Sequence, residues 1–338
     1  MCLKIASPPR RRGPIRRPFE FMGPRLRGDD EREVALLVTL AAALLAATPL
    51  TLDAQLAAAK SGDTVKLSAE AYPAVRIAGR KWATPVTLDA RGATLATLTI
   101  ADVTGLRVVG AKLTGTVAEP FWIRLVDIRG SSDLAFDGLD LTGKERAGFG
   151  LYATLTRNLT IENSTFKRLH TGIQFDEIDG GRIAASDFRD LRSDGVDLAA
   201  SRKIVVDNIE CSGTEPKLEP PADHPDCVQM WSKKGVTPLA DITIRNSRAF
   251  GKTQGFSGFD HGEGGFDRIT ITGNTVRVTY PDGISLHGAR DSTIAGNRVE
   301  TLPGAPWQAK ITVIDSERVT QRRTVVVTPP ASYLQPPR

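Results

Sequence analysis

The feature that most constrains this chain is a recurring short segment: a branched residue, alternation, then asparagine or a small residue. It appears as LTIENSTF, RIAASDF, IVVDNIE, ITIRNSRA, ITITGNTV and STIAGNRV. The shared position falls at Asn163, Ser186, Asn208, Asn246, Asn274 and Asn297, in steps of 23, 22, 38, 28 and 23 residues. Upstream, VTLDARG, LRVVGAK and LAFDGLD carry the pattern back through Asp89, Gly110 and Gly138. Short strands recurring this regularly, with no amphipathic helix between them, are not βαβ units. A sandwich needs antiparallel partners and would step less regularly. A solenoid accounts for the pattern directly, each turn covering the last and extending one core. In such a coil the asparagines are expected to stack at one corner and hydrogen-bond in a single ladder.

A second ladder runs in phase with the first: GLYAT, GIQFD, GVDLA, CVQMW, GFDHG, GISLH and KITVI. Its second and fourth residues are mostly branched, aromatic or Met and should point inward, at the two-residue period of a strand. Turn residues such as EIDGG, RSDG and YPDG separate the ladders. Ahead of the first turn, LDAQLAAAKSGDTVKL reads as a short helix, a turn and a strand, the helix capping the open end of the core.

GDTVKLSAEAY resembles the first turn of secreted right-handed parallel β-helix proteins of the pectate-lyase-like superfamily, which often reads GDTI-x-L-x-x-G-x-Y. Here Ala69–Glu70 stand where the glycine-containing turn would be. The resemblance covers about Thr51 to Val327 and implies an all-β, single-stranded right-handed parallel β-helix with a short N-terminal capping helix. It says little of the reaction, because this scaffold carries lyases, hydrolases, epimerases, tailspikes and adhesins. DHPDCVQMW also resembles an HPD-x-x-Q segment of other β-helix proteins, but no family's catalytic residues are carried onto this chain.

Three segments are expected: 1–48, upstream sequence plus signal peptide; 49–327, the β-helix with an insertion at 212–226; and 328–338, a tail. Val34 to Ala47 is an apolar run too short for a comfortable membrane span and suited to a signal-peptide core. A periplasmic or extracellular protein without a transmembrane span is therefore expected. The net charge of +5 is concentrated in residues 1–48; beyond them 35 basic face 34 acidic residues, which argues against nucleic acid as a partner. No phosphate-loop, CxxC, HExxH or GxSxG motif appears, and no organic cofactor is expected. Cys211 and Cys227 are spaced to close a disulfide loop, which would stabilise by roughly 3 kcal/mol.

The solenoid reading turns the second ladder into a surface map. Tyr152, Gln174, Asp197, Gln229, Asp260, Ser285 and Thr312 should occupy its middle, outward position on successive rungs about 4.8 Å apart. Asp194, Asp226 and Asp282 precede the strands; Asp194 and Asp282 read mainly as turn formers. The 38-residue step holds GTEPKLEPPADHPD, a proline-rich loop that would wall a cleft and bring His224 and Asp226 to its edge.

Catalytic candidates are thus Asp197, His224, Asp226, Asp260 and Lys233, with Gln174, Gln229, Trp231, His287 and Arg290 contacting substrate. Trp231 beside polar donors suits a sugar ring, whose apolar face stacks while its hydroxyls hydrogen-bond. Asp197, Asp226 and Asp260 together could ligate a calcium ion. Lys233, Lys234, Lys252, Arg290 and Arg192 would give a positive rim suited to polyuronate. His261 reads as a core histidine, unless the glycines of HGEGG bend the strand and expose it, and His170 as structural or at the cleft margin.

The expectation is an exported enzyme acting on a polysaccharide or oligosaccharide, foremost a lyase eliminating across a uronic-acid linkage. The alternatives are a glycoside hydrolase using paired carboxylates on the same face, and a non-catalytic glycan-binding surface protein.

Overall fold

The computed structural model describes residues 51–115, 122–219, 222–236, 238–260 and 264–334. The proposed signal segment and His261 lie outside them. Among the described residues no helix is long and apolar enough to cross a membrane.

From Thr51 onward the chain forms one compact unit. Helix α1, Leu52–Ala58, begins where the Thr51 hydroxyl accepts a hydrogen bond from the Ala54 amide, and it buries Leu56 against the first turn. Each described strand after it pairs in parallel with the equivalent strand of a neighbouring turn. One sheet runs from Thr64–Lys66 through Arg157–Glu162 to Thr320–Arg322. The other two faces join into a 19-stranded sheet because Thr94–Ala101 pairs with both Lys112–Thr114 and Arg124–Arg129. The core is a set of inward columns; in one, Ile161, Ile183, Val206, Ile244, Ile271 and Ile294 lie in register, all fully buried.

The predicted asparagine ladder is two adjacent lines rather than one. Asn163, Asn208 and Asn246 take the corner itself, at φ of 52, 54 and 53°, where a left-handed turn is needed and asparagine tolerates it. Ser186, Asn274 and Asn297 stand one residue further on, in line with Ser164 and Ser247, and point inward. There the Asn297 side chain accepts from the Asn274 amide at 3.0 Å, Asn274 from the Ser247 amide at 2.8 Å, and Ser186 from the Ser164 amide at 3.1 Å. The corner amides of each turn are satisfied by the next. Because both lines favour small polar residues, spacing alone merges them.

The disulfide between Cys211 and Cys227 is present, with Cα atoms 5.5 Å apart. It joins the strand before the proline-rich loop to the strand after it.

Candidate functional site

Parallel pairing lines up the outward positions of one face. Tyr152 lies beside Gln174, then follow Asp197, Gln229, Ser257, Ser285 and Thr312, each in register with the last. Ser257, not Asp260, holds the fifth place, because the strand is Gln254–Phe259 and not the later GFDHG. Both windows begin Gly-Phe, but the true one puts Gly258 inward, where an apolar residue was expected. A Cβ there would meet Phe266 Cε2 at 3.2 Å and Leu286 Cδ2 at 3.3 Å, so Phe266 already fills the space.

Asp260 follows the strand instead, and its carboxylate accepts from Ser232 Oγ at 2.5 Å. Ser232 is six residues past Asp226 on its rung, roughly 20 Å along an extended strand. Asp260 is thus not brought together with Asp226, and the carboxylate set named for calcium is divided. Among the described residues no three His, Cys, Asp or Glu side chains are grouped to hold a metal ion. No step is derived through calcium.

What does assemble is Asp194, Asp197 and Asp226. Asp194 sits one rung below Asp226: its Oδ1 accepts from the Asp226 amide at 2.8 Å and its Oδ2 from Ser193 Oγ at 2.9 Å. Asp226 Oδ2 accepts from Gln229 Nε2 at 3.2 Å, and Gln229 is in register with Asp197. The three are only 7, 8 and 1% exposed, and Oδ1 of both Asp197 and Asp226 lacks a hydrogen-bond partner among the described residues. Burial pushes the Asp194 carboxyl up to about 6, against the hydrogen bonds that hold its charged form. Burial, then the charges of Asp194 and Asp226, raise Asp197 well above the ordinary carboxylate range. Burial and the Asp194 charge do the same to Asp226. Three carboxyls so placed titrate as a set. The set therefore holds its protons to higher pH than free carboxyls do. Asp194, read from sequence mainly as a turn former, thus belongs to the carboxyl cluster.

The remaining expected residues divide. Gln174 and Gln229 are half-buried in the outward column beside Asp197. Trp231 ends its strand in register with Ala199, and Lys233 Nζ lies 5.9 Å from its ring centroid. Lys233 reaches Asp176 at 2.5 Å; burial works against its charge, but the Asp176 hydrogen bond together with the Asp176 and Glu177 charges raises the ammonium pKa overall. A lysine so paired stays protonated and is a poor base. Tyr152, which donates to Asp176 at 3.2 Å beneath the Arg124 guanidinium, completes this neighbourhood; its role was not foreseen. His287 packs edge-on against Phe259, ring centroids 5.1 Å apart, in the last place of its strand.

Arg290 belongs to another sheet, pairing Asp267 at 2.7 Å, and does not reach the column. His224 is exposed on the proline-rich loop. That loop is clamped by its neighbour Asp223, which accepts from Arg192 at 2.9 and 3.2 Å and from the Lys217 amide at 2.7 Å. Lys252 pairs Glu215 at 2.8 Å. Four of the five cations expected to form a positive rim are thus already neutralised. His170 is half-buried beside this clamp, its imidazole pushed down to about 4 by burial and by Arg192, and it contacts Thr171 Oγ1 at 3.0 Å.

Comparison with known proteins agrees with the coil. An alginate lyase from Paenibacillus sp. str. FPU-7 is similar at 16% identity and a TM-score of 0.51, over 81% of this chain and 95% of that one. PfbA, a surface adhesin of Streptococcus pneumoniae, is similar at 12% identity and a TM-score of 0.50, over 75% of this chain and 70% of that one. At such identities the likeness is one of fold, and the fold is shared by carbohydrate-active enzymes and adhesins alike. No curated protein sequence matches. The right handed beta helix region family matches residues 125–299, more than half of the 338. The chain therefore belongs to the right-handed β-helix family.

Proposed function

We propose that this protein is a glycoside hydrolase whose acid–base pair is Asp197 and Asp226. The observation that carries the reading is the buried carboxyl cluster, in which two carboxyls keep an unpartnered oxygen and hold protons to well above their usual range. Hydrolysis needs one carboxyl protonated to donate to the leaving oxygen and another ionised to activate water. A coupled set that loses its protons in separate steps supplies both forms over one pH interval. Asp194 is a positioning residue: its carboxylate fixes the Asp226 backbone and its charge raises both neighbours.

Elimination across a uronate finds less support. A lyase must neutralise the substrate carboxylate with a cation, and Lys233, Arg192 and Arg290 are each engaged by an aspartate. Three carboxyls also make a poor bed for a second anion. Asp197 and Asp226 stand one rung and three residues apart, roughly 11 Å between Cα atoms. That spacing favours the wider carboxyl separation of inverting enzymes, about 6.5–9.5 Å, over the closer retaining arrangement.

The test is product analysis on a panel of neutral and acidic glycans. Asp197→Asn and Asp226→Asn are each expected to lower kcat by 100-fold or more, in the range of general acid–base contributions, about 10²–10⁴. Magnetic resonance of the fresh product should show inverted anomeric configuration, and activity should persist in EDTA. Full activity in either variant overturns the assignment; loss in EDTA with restoration by calcium favours the cation-dependent lyase reading.

A further inference from the structure

A second feature lies two rungs from Asp226, toward the C-terminal end of the same face. Tyr280 precedes the strand Asp282–His287, and Trp307 precedes the next one, Lys310–Ile314. Their rings stand 6.4 Å apart, tilted by 48°. Trp307 leaves half of its surface exposed, 50%, which is unusual for so large an apolar side chain.

The loop carrying Trp307 is not loose. The Leu302 amide donates to Val278 O at 3.0 Å, Gly304 to Tyr333 O at 2.8 Å, and Ala309 to Thr301 Oγ1 at 2.9 Å. Ala305 and Ala309 are wholly buried beneath it. The indole is therefore held out by a fixed backbone, which lowers the ordering cost of binding. Tyr280 is half-buried; burial, then the nearby Asp223 carboxylate, raises its pKa and keeps the phenol protonated. The same Asp223 clamps the proline-rich loop, so the aromatic pair and that loop are close neighbours.

The rungs that these aromatics lead into carry the second, independent observation. Ser285 and Thr312 are in register, and among the described residues neither hydroxyl has a hydrogen-bond partner, although Ser285 is fully buried. Buried hydroxyls are ordinarily paired, so two bare ones on adjacent rungs call for polar groups from elsewhere. Asp282 and Lys310, also in register, add an acceptor and a donor between the aromatics and the hydroxyls.

We propose that Tyr280 and Trp307 form an aromatic platform for a pyranose ring of the glycan, with Asp282, Lys310, Ser285 and Thr312 meeting its hydroxyls and those of the adjoining sugar. An apolar ring face beside a row of donors and acceptors is the recognition chemistry of a sugar, and a flat apolar ligand would leave the polar row unsatisfied. The proposal rests on the reading of this face as glycan-binding, and not on the carboxyl chemistry.

The experiment measures glycan affinity in an Asp226→Asn background, so that turnover does not interfere, by affinity electrophoresis through gels containing soluble neutral glucan, xylan, homogalacturonan or alginate. Trp307→Ala should weaken retention by roughly tenfold, as truncating an aromatic anchor does. Trp307→Phe should restore much of it, and both variants should keep the parent's thermal unfolding temperature. Unchanged retention of Trp307→Ala on a glycan that the parent binds overturns the platform alone. Absence of retention of every variant, parent included, on all four glycans overturns both the platform and the glycan reading beneath it. If Trp307→Ala unfolds at a lower temperature, Ser285→Ala decides on the same gels: weakened retention supports the subsite and unchanged retention overturns it.

Discussion

Asp194 ties the stability of the protein to the chemistry proposed for it. Its carboxyl titrates near 6 in the folded chain against 3.8 for the free side chain. The folded state therefore binds this proton more tightly than the unfolded one. Stability from this group is complete below about pH 4 and is lost as pH rises through 6, a change of roughly 3 kcal/mol. Asp197 and Asp226, also raised well above the ordinary carboxylate range, contribute a loss of the same sign as pH rises. Urea unfolding should accordingly show a lower midpoint at pH 8 than at pH 5. Asp194→Asn keeps an oxygen for the Asp226 amide while removing the charge, so it should be more stable than the parent at pH 8 and should flatten the pH dependence. Equal slopes for the two proteins would contradict this account. The role of Asp194 was only partly readable from the chain. Its place one rung from Asp226 followed from the period, but its burial did not, because burial depends on what packs over the face. The two bare Oδ1 atoms were equally invisible to spacing.

The strands themselves were readable because two-residue alternation and short, regular steps leave few alternatives to a coil. Errors arose where two registers satisfied the alternation equally. GFSGF and GFDHG differ by three residues, and only the packing of Phe266 against Gly258 decides between them. The corner lines merged for the same reason: a one-residue offset between Asn163 and Ser186 costs nothing in pattern but moves a side chain from the corner to the interior. The proline-rich loop was recognisable by its length, whereas its clamp through Asp223 and Arg192 joins residues 31 apart. The disulfide closes this loop with a separation of 16 residues and should contribute about 3 kcal/mol. Replacing both Cys211 and Cys227 with alanine should lower the urea midpoint and hasten proteolytic cleavage within 213–225. Unchanged stability and unchanged cleavage would assign the clamping to Asp223 alone.

As a whole the coil is nearly one-dimensional, each turn resting on its neighbours, so its two ends carry the risk of self-association. Helix α1 covers the first turn. Among the described residues the inward column that runs Ile161 to Ile294 ends at Gln321, a polar and exposed residue. Arg318, Arg322 and Arg323 surround it in sequence. Gln321→Val should make this end apolar and raise the light-scattering mass with protein concentration relative to the parent; identical masses across the range would show that Gln321 does not guard the end. The same stacking that builds the core brings Asp194, Asp197 and Asp226 together from two turns 32 residues apart at Asp194 and Asp226. The coil is thus the means by which separate acidic residues become one proton-sharing group. If this group hydrolyses a glycosidic bond, purified protein followed on the glycan panel should release new reducing ends without the ultraviolet absorbance of unsaturated uronate, and Asp226→Asn should abolish them. Reducing ends accompanied by that absorbance, or undiminished in Asp226→Asn, would contradict that assignment.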